Sequence, residues 1–292
     1  MIPLQSFREQ LALELQKIEA GIVDLWRKSH IQEFRNDPNS SIVFIGPRYY
    51  WTSLPDEHRG AQARVRERYH HWYELLQRSH STHAADVQRE IHDRNEYVIT
   101  AIELNTSWQT EPTIDENRAY LSKELDFFRR LLSSQGPEAE VILVPDTNAM
   151  IKSANPGDYV TAVGTSLFTF AIVPTVLQEL DGLKRNRRDQ SVGQKAEKAI
   201  NMLKGFRAQG SVLEGVTVAK TIKVRMIPTE PKFEGLPSWL DADSQDDRIL
   251  GSALEIQFRT PSAKVVLVTD DVNLQNKAEM AFLSCVELPD SP

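Results

Sequence analysis

Four acidic positions in the second half of the chain have the residue type and the placement to do chemistry together: Asp146, Glu179, one of the pair Asp246 and Asp247, and one of the pair Asp270 and Asp271. Carboxylates gathered at one place repel one another, and a divalent cation relieves that repulsion. A cation held in this way lowers the pKa of a water, brings a phosphate into line and stabilises the charge that develops as a phosphodiester is cleaved. Taken singly, each acid has an ordinary role. Asp246 and Asp247 suit the first turn of a helix, Asp270 and Asp271 suit a turn or a cap, and Glu179 suits a solvated helix face. What raises the group above its members is where the surrounding elements put them.

The apolar runs 141 VILVP 145, 168 FTFAIVP 174, 216 VTVAK 220 and 264 KVVLVT 269 are short and continuous. Stretches of helical periodicity at about 175–184, 190–208 and 243–258 separate them. Continuous apolar strands imply burial on both faces, so the order predicts an α/β fold: a three-layer sandwich with a mainly parallel central sheet. Ligands in such sheets bind beyond the carboxyl ends of the strands. Asp146 directly follows the first run, and Asp270 and Asp271 follow the last. Glu179 lies in a helix opened by Pro174, whose missing N–H costs nothing at a first helical position. Asp246 and Asp247 start another helix, ahead of Ile249, Leu250 and Leu254. All of these acids therefore fall at one edge of one sheet.

The first part of the chain is built differently. Leu4, Phe7, Leu11, Leu15, Ile18, Ile22 and Leu25 recur at helical steps, and the pattern resumes over about 59–79, 84–104 and 114–132, where Asp115 is placed to cap the last helix. The apolar run Ile42 to Ile45 suits either a small strand or a buried turn. The small and polar stretch 133 SSQGPEAE 140 marks the boundary. Two domains are expected, a mostly α-helical one over 1–137 and an α/β one over 138–292. The six histidines between His58 and His92 show no metal-binding spacing, and the rings of 48 RYYW 51 are expected to close a core.

Composition narrows the classes. A single cysteine, Cys285, leaves no intrachain disulfide and no cysteine-rich zinc site, so a metal must be held by oxygen or imidazole. No histidine lies in the C-terminal half, and oxygen donors suit Mg2+ or Mn2+. The net charge of −7 argues against broad attraction to nucleic acid and for a local contact. There is no secretory signal at the N-terminus and no run of about 18 apolar residues, so a cytoplasmic protein without a membrane span is expected.

The segments 144 VPDTNAMI 151, 173 VPTVLQELDGLK 184, 246 DDRILGSAL 254 and 268 VTDDVNLQNKA 278 resemble the four signature segments of the PIN-domain nucleases, in order and in spacing. They are most similar to the PINc-type branch, and the likeness covers roughly residues 140–288. It implies catalytic and metal-binding roles for Asp146, Glu179, Asp247 and Asp271. Asp247 is preferred because the family acid stands three residues before the apolar position, here Leu250. Asp271 is preferred because it stands two residues after Thr269. Asp246 and Asp270 are the second choices. Thr147, Asn148, Thr269 and Asn273 match supporting polar positions. The resemblance further implies an Mg2+- or Mn2+-dependent endoribonuclease that cuts single-stranded RNA to a 5′ phosphate and a 3′ hydroxyl. Two alternatives stand beside it: a catalytically silent PIN-like scaffold that binds RNA or protein, and the same fold cutting DNA. A toxin, an antiviral effector and an RNA-processing enzyme all fit. The N-terminal domain would then bind a regulatory protein or direct targeting, and relatives often form homo-oligomers.

Lys184, Arg185, Arg187 and Arg188 follow the Glu179 helix and are candidates to hold phosphates flanking the cleaved one, with Lys195, Lys198 and Lys204 extending the surface. Reversing the charge of Arg187 and Arg188 is expected to weaken RNA binding and to flatten its dependence on salt. A salt titration of oligonucleotide binding checks this, and an unchanged slope would remove the assignment.

Overall fold

The computed structural model describes residues 4–35, 46–81, 83–107, 110–133, 140–185 and 190–289. Contacts divide the chain into two units, Leu11–Ser134 on the one hand and Met1–Gln10 with Gln135–Pro292 on the other.

The first of these units is mostly helical. It comprises α1 (Phe7–Arg27) from Leu11 onward, the short strands β1 (Ile31–Glu33) and β2 (Tyr49–Trp51), and α2 (Arg59–Ser79), α3 (Ala85–Glu103) and α4 (Ile114–Ser133). Leu11, Leu15, Ile18, Ile22 and Leu25 are all buried, as their spacing requires. Trp72 anchors the interior: its indole N–H donates to the Leu11 carbonyl at 2.8 Å, and its ring meets Phe128 edge-on at 5.3 Å between centroids. The strands pair antiparallel, and Trp51 stacks on Trp26 at 5.5 Å, so the aromatic run is a packing element. Residues 42–45, read as strand or turn, lie outside the described residues.

The cap of α4 differs from the expectation. Thr113, not Asp115, caps it: the Thr113 Oγ1 accepts the Glu116 N–H at 3.2 Å and donates to the Glu116 carboxylate at 2.6 Å. A hydroxyl three residues before a glutamate closes a reciprocal cap that Asp115, already inside the first turn, has no geometry to make.

The second unit is the α/β one. In chain order it runs β3 (Val141–Pro145), α5 (Thr147–Lys152), α6 (Val160–Val163), β4 (Thr169–Ile172), α7 (Pro174–Arg185), α8 (Gln190–Gln209), β5 (Val216–Val218), β6 (Ile222–Met226), α9 (Gln245–Arg259), β7 (Lys264–Val268), α10 (Val272–Met280) and β8 (Ser284–Val286). Among the described residues the sheet has six strands in the order β5-β6-β4-β3-β7-β8. Every pairing is parallel except β5 with β6. The central strands β3, β4 and β7 are buried almost throughout, which is why they read as unbroken apolar runs.

The run 216–220, read as one strand, is instead a strand and the start of a turn. Ala219 and Lys220 both adopt positive φ, 46° and 71°, and the chain folds back into β6. Such a turn normally announces itself with Asn or Gly, which are absent here. β6 alternates buried Ile222 and Val224 with exposed Lys223 and Arg225, so it lacks the continuous apolar signature of its neighbours.

The described residues up to Gln10 group with the α/β unit. The Phe7 ring lies 5.5 Å from that of Phe258, the Arg8 N–H donates to the Pro261 carbonyl at 3.2 Å, and Gln10 Nε2 donates to Ser284 Oγ at 3.3 Å. The apolar stripe is continuous across Leu4 to Leu25, so nothing in its periodicity marks where its partner changes. Ser6 and Glu9 form a second reciprocal cap at the start of α1.

Replacing Thr113 with Ala is expected to cost about 1 kcal/mol, while Asp115→Asn leaves the unfolding midpoint nearly unchanged. Denaturant titration of both variants reads the difference, and the reverse ranking would return the cap to Asp115.

Candidate functional site

The site grows from the junction of β3 and β7. Their register sets Pro145 beside Val268, so the residues that follow, Asp146 and Thr269, emerge side by side. The Asp146 N–H donates to the Val268 carbonyl at 3.0 Å. Its side chain then caps α5, accepting the Ala149 N–H at 2.6 Å on one oxygen and the Thr269 hydroxyl at 2.5 Å on the other. Asp146 is 4% exposed and Thr269 fully buried, so the carboxylate is locked in orientation. Tyr159 supports the same turn from beneath, donating to the Ala149 and Ser153 carbonyls at 3.1 and 2.7 Å.

Glu179 comes from α7. It shares a helix face with Gly182 and Leu183, and it accepts a hydrogen bond from the Thr147 hydroxyl. Thr147 is buried, and so ties the first turn of α5 to the second acid. Asp246 comes from the first turn of α9, which Ser244 caps by accepting the Asp247 N–H at 3.3 Å. Asp146, Thr147, Asn148, Gln178, Glu179, Gly182, Leu183, Gln245, Asp246 and Ile249 line one cavity of about 390 Å³. No lysine or arginine is among them.

The adjacent aspartates of α9 divide between two tasks. Asp246 and Ile249, three residues apart on one helix face, look into the cavity. Asp247 and Leu250 share the neighbouring face, which is buried; Asp247 is only 1% exposed. The Asp247 carboxylate accepts the Asp241 N–H at 2.9 Å and an ion-pair contact from Lys277 at 2.5 Å. The preference for Asp247 over Asp246 thus meets a geometric objection. Asp247 lies in the interior with Leu250, off the cavity wall.

The fourth corner is looser. Asp271 is exposed and caps α10, accepting the Leu274 N–H at 2.8 Å, while its own N–H donates to Thr269 Oγ1 at 3.0 Å. Asp270 pairs with Lys152 at 3.1 Å. Neither lines the cavity, although both act on the acids that do. Asn148 is at the cavity wall, and Asn273 is an exposed residue in the first turn of α10, off that wall. Lys184 pairs with Glu197 at 3.0 Å, and Arg185 ends α7. Arg187 and Arg188 lie outside the described residues.

The electrostatics follow from this geometry. Burial raises the Asp146 pKa above its ordinary value, Asp270 and Asp246 raise it further, and the Ala149 N–H and Thr269 oppose the rise. Glu179 is raised by burial and by Asp246 and Asp146, against the Thr147 hydroxyl and Arg248. Asp246 is raised by burial, then by Asp271 and Asp247, with Lys277 opposing. Burial and neighbouring carboxylates thus raise the pKa of all three acids on the cavity.

Residues 143–288, half of the chain, match the family profile described as a PIN domain. The chain belongs to the PIN-domain family. Domains of this family are generally nucleases and typically use divalent metal ions, and the α/β unit has their nuclease-like fold. No curated protein matches the chain. No helix among the described residues is long and apolar enough to cross a membrane.

Within this PIN fold the described residues that line the cavity offer oxygen donors, from Asp146, Glu179 and Asp246 with Thr147 and Asn148 beside them, a set that suits a hard divalent cation. Among the described residues, no group of three acidic, histidine or cysteine side chains is arranged as a closed metal site. An open arrangement of carboxylates is compatible with Mg2+, which dehydrates reluctantly and keeps several waters. Several residues near the PIN cavity were missed from the sequence: Gln178 and Gln245 on its wall, Lys277 beneath Asp247, and Arg248 with Glu230 at its rim. Arg248 and Lys277 stand inside the motif segments, but nothing in a linear motif says which carboxylate a lysine neutralises.

A raised carboxylate pKa makes the folded state bind a proton more tightly than the unfolded chain does. The stability associated with it is fully present below the unfolded pKa and is lost as pH rises through the folded one. Asn caps a helix as well as Asp and carries no charge. In metal-free buffer, Asp146→Asn is therefore expected to gain stability relative to the wild type as pH rises from about 4 to 7. Thermal midpoints across that range check it, and a constant offset would contradict it.

Proposed function

We propose that the α/β unit is a metal-dependent endonuclease acting on single-stranded RNA, with Asp146, Glu179 and Asp246 as the principal cation-holding carboxylates. The observation that supports this reading most is the shared cavity: three acids from three different elements line it, and no basic side chain is among the described residues that line it with them. A cation bound there would supply the acidified water and the charge stabilisation that phosphodiester hydrolysis needs.

The chain's own residues do the positioning. Thr269 and the Ala149 N–H fix the Asp146 carboxylate, and Thr147 fixes that of Glu179. Support of this kind orients ligands, and its loss ordinarily costs about 10- to 100-fold in affinity or activity. Asp271 stands close enough to raise the Asp246 pKa, and so contributes to the negative field at the mouth of the cavity. Asp247, buried against Lys277, is assigned to holding the start of α9.

The silent-scaffold reading draws on one specific observation. Two of the six acids at this edge are already paired with lysines, Asp247 with Lys277 and Asp270 with Lys152. The two readings part cleanly in one assay. With Mg2+ or Mn2+ the full chain should cleave single-stranded RNA, chelation should stop it, and Asp146→Asn or Asp246→Asn should each lower the rate by more than about 100-fold. The metal should also raise the thermal midpoint of the wild type and not that of Asp146→Asn. Cleavage that survives chelation would sink the metal mechanism, and absent cleavage with intact RNA binding would favour the scaffold. The same oligonucleotide made as DNA decides between the RNA and DNA forms of the proposal.

A further inference from the structure

Among the described residues no lysine or arginine lines the cavity, yet its proposed substrate is a polyanion, so described cations at the rim are the ones to consider for the flanking phosphates. Among the described residues near it, Lys277 is committed to buried Asp247, Lys152 to Asp270 and Lys184 to Glu197. Arg248 is placed differently. It follows Asp246 and Asp247 in the first turn of α9, its side chain is 26% exposed, and it lowers the pKa of Glu179 across the cavity edge.

Its partner is Glu230, whose carboxylate lies 2.7 Å from Arg248 Nη2. Glu230 is itself fixed from α7: Gln178 Nε2 donates to it at 2.9 Å and the buried Thr175 hydroxyl at 3.1 Å. Gln178 Oε1 also faces Arg248 Nη2 at 3.5 Å, and Gln178 lines the cavity. A guanidinium carries five N–H donors, and the closest contacts of this one run through a single nitrogen. The rest of the fork matches a phosphate, which it can take with two parallel hydrogen bonds.

We infer that Arg248 binds a substrate phosphate next to the scissile one, and that Glu230, anchored by Thr175 and Gln178, holds the guanidinium at the rim and competes with that phosphate for it. This rests on the nuclease reading of the same cavity. The carboxylate keeps Arg248 from collapsing onto Glu179 and weakens binding of any anion that cannot displace it, so the pair sets how tightly the phosphodiester backbone is gripped.

The test measures binding of a fluorescent single-stranded RNA to the full chain in chelator, and cleavage of the same RNA with Mg2+. Arg248→Gln is expected to weaken binding and raise KM by about tenfold, with kcat changed far less. The slope of log affinity against log salt should fall by about 0.7, the share of one phosphate contact on a single strand. Arg248→Lys keeps the charge and should recover the slope, which a loss of folding would not allow. Glu230→Gln should tighten binding, and should do nothing in the Arg248→Gln background. A DNA strand, if bound, should lose the same factor, because the contact is to phosphate. Wild type that neither binds nor cleaves would overturn the nuclease reading and this one together. Wild type that cleaves, with Arg248→Gln unchanged in KM and slope, would overturn this one alone. So would weakening by Glu230→Gln, or a loss confined to RNA.

Discussion

The parallel pairing of β3 with β7 is the constraint on which the candidate site depends. Because Pro145 and Val268 stand in register, Asp146 and Thr269 leave the sheet as neighbours, and one hydrogen bond between them orients the carboxylate at the centre of the cavity. Thr269 serves two masters, donating to Asp146 through its hydroxyl proton and accepting the Asp271 N–H on the same oxygen. A slip of one residue between these strands would turn every side chain to the opposite face and separate the pair. The apolar strands are therefore the means by which a charged site is held in a fixed place.

Holding it there works against the stability of the fold. Carboxylates whose pKa is raised by burial and by neighbouring acids are an unfavourable arrangement in the absence of a cation. The surrounding structure limits the damage by two routes. Hydrogen bonds from Ala149, Thr147 and Thr269 support the charged forms of Asp146 and Glu179. Lysines pair with two acids that do not line the cavity, Lys277 with Asp247 and Lys152 with Asp270. A site that needs strained electrostatics commonly sits below the stability its fold could reach.

The helical unit follows a simpler logic. Its helices are amphipathic, their apolar stripes meet around Trp72, and the indole's polar edge is satisfied by a backbone carbonyl in the interior. Such packing is written in local periodicity, so α2, α3 and α4 fall within a residue of the bounds their spacing suggests. The cap of α4 is legible too, in the pair Thr113 and Glu116, although Asp115 stands at the helix start as a competing signal.

The amino-acid sequence by itself determined the α/β class, the central strands, the placement of acids at one sheet edge and the family to which the chain belongs, because each rests on local periodicity or on short contiguous motifs. Tertiary structure alone decided which acids meet. Asp246 and Asp247 are adjacent in sequence and alike in chemistry, and only the rotation of α9 against its neighbours sends one to the cavity and the other to Lys277. The same holds for β6, whose alternation makes sense only once β4 and β5 lie on either side of it, and for Phe7, whose stripe reads the same whichever unit receives it. It holds most of all for Arg248 and Glu230, which join across a long loop that carries no motif. Periodicity reports what a residue's own element needs, whereas pairing between distant charges is settled by which elements the core brings together.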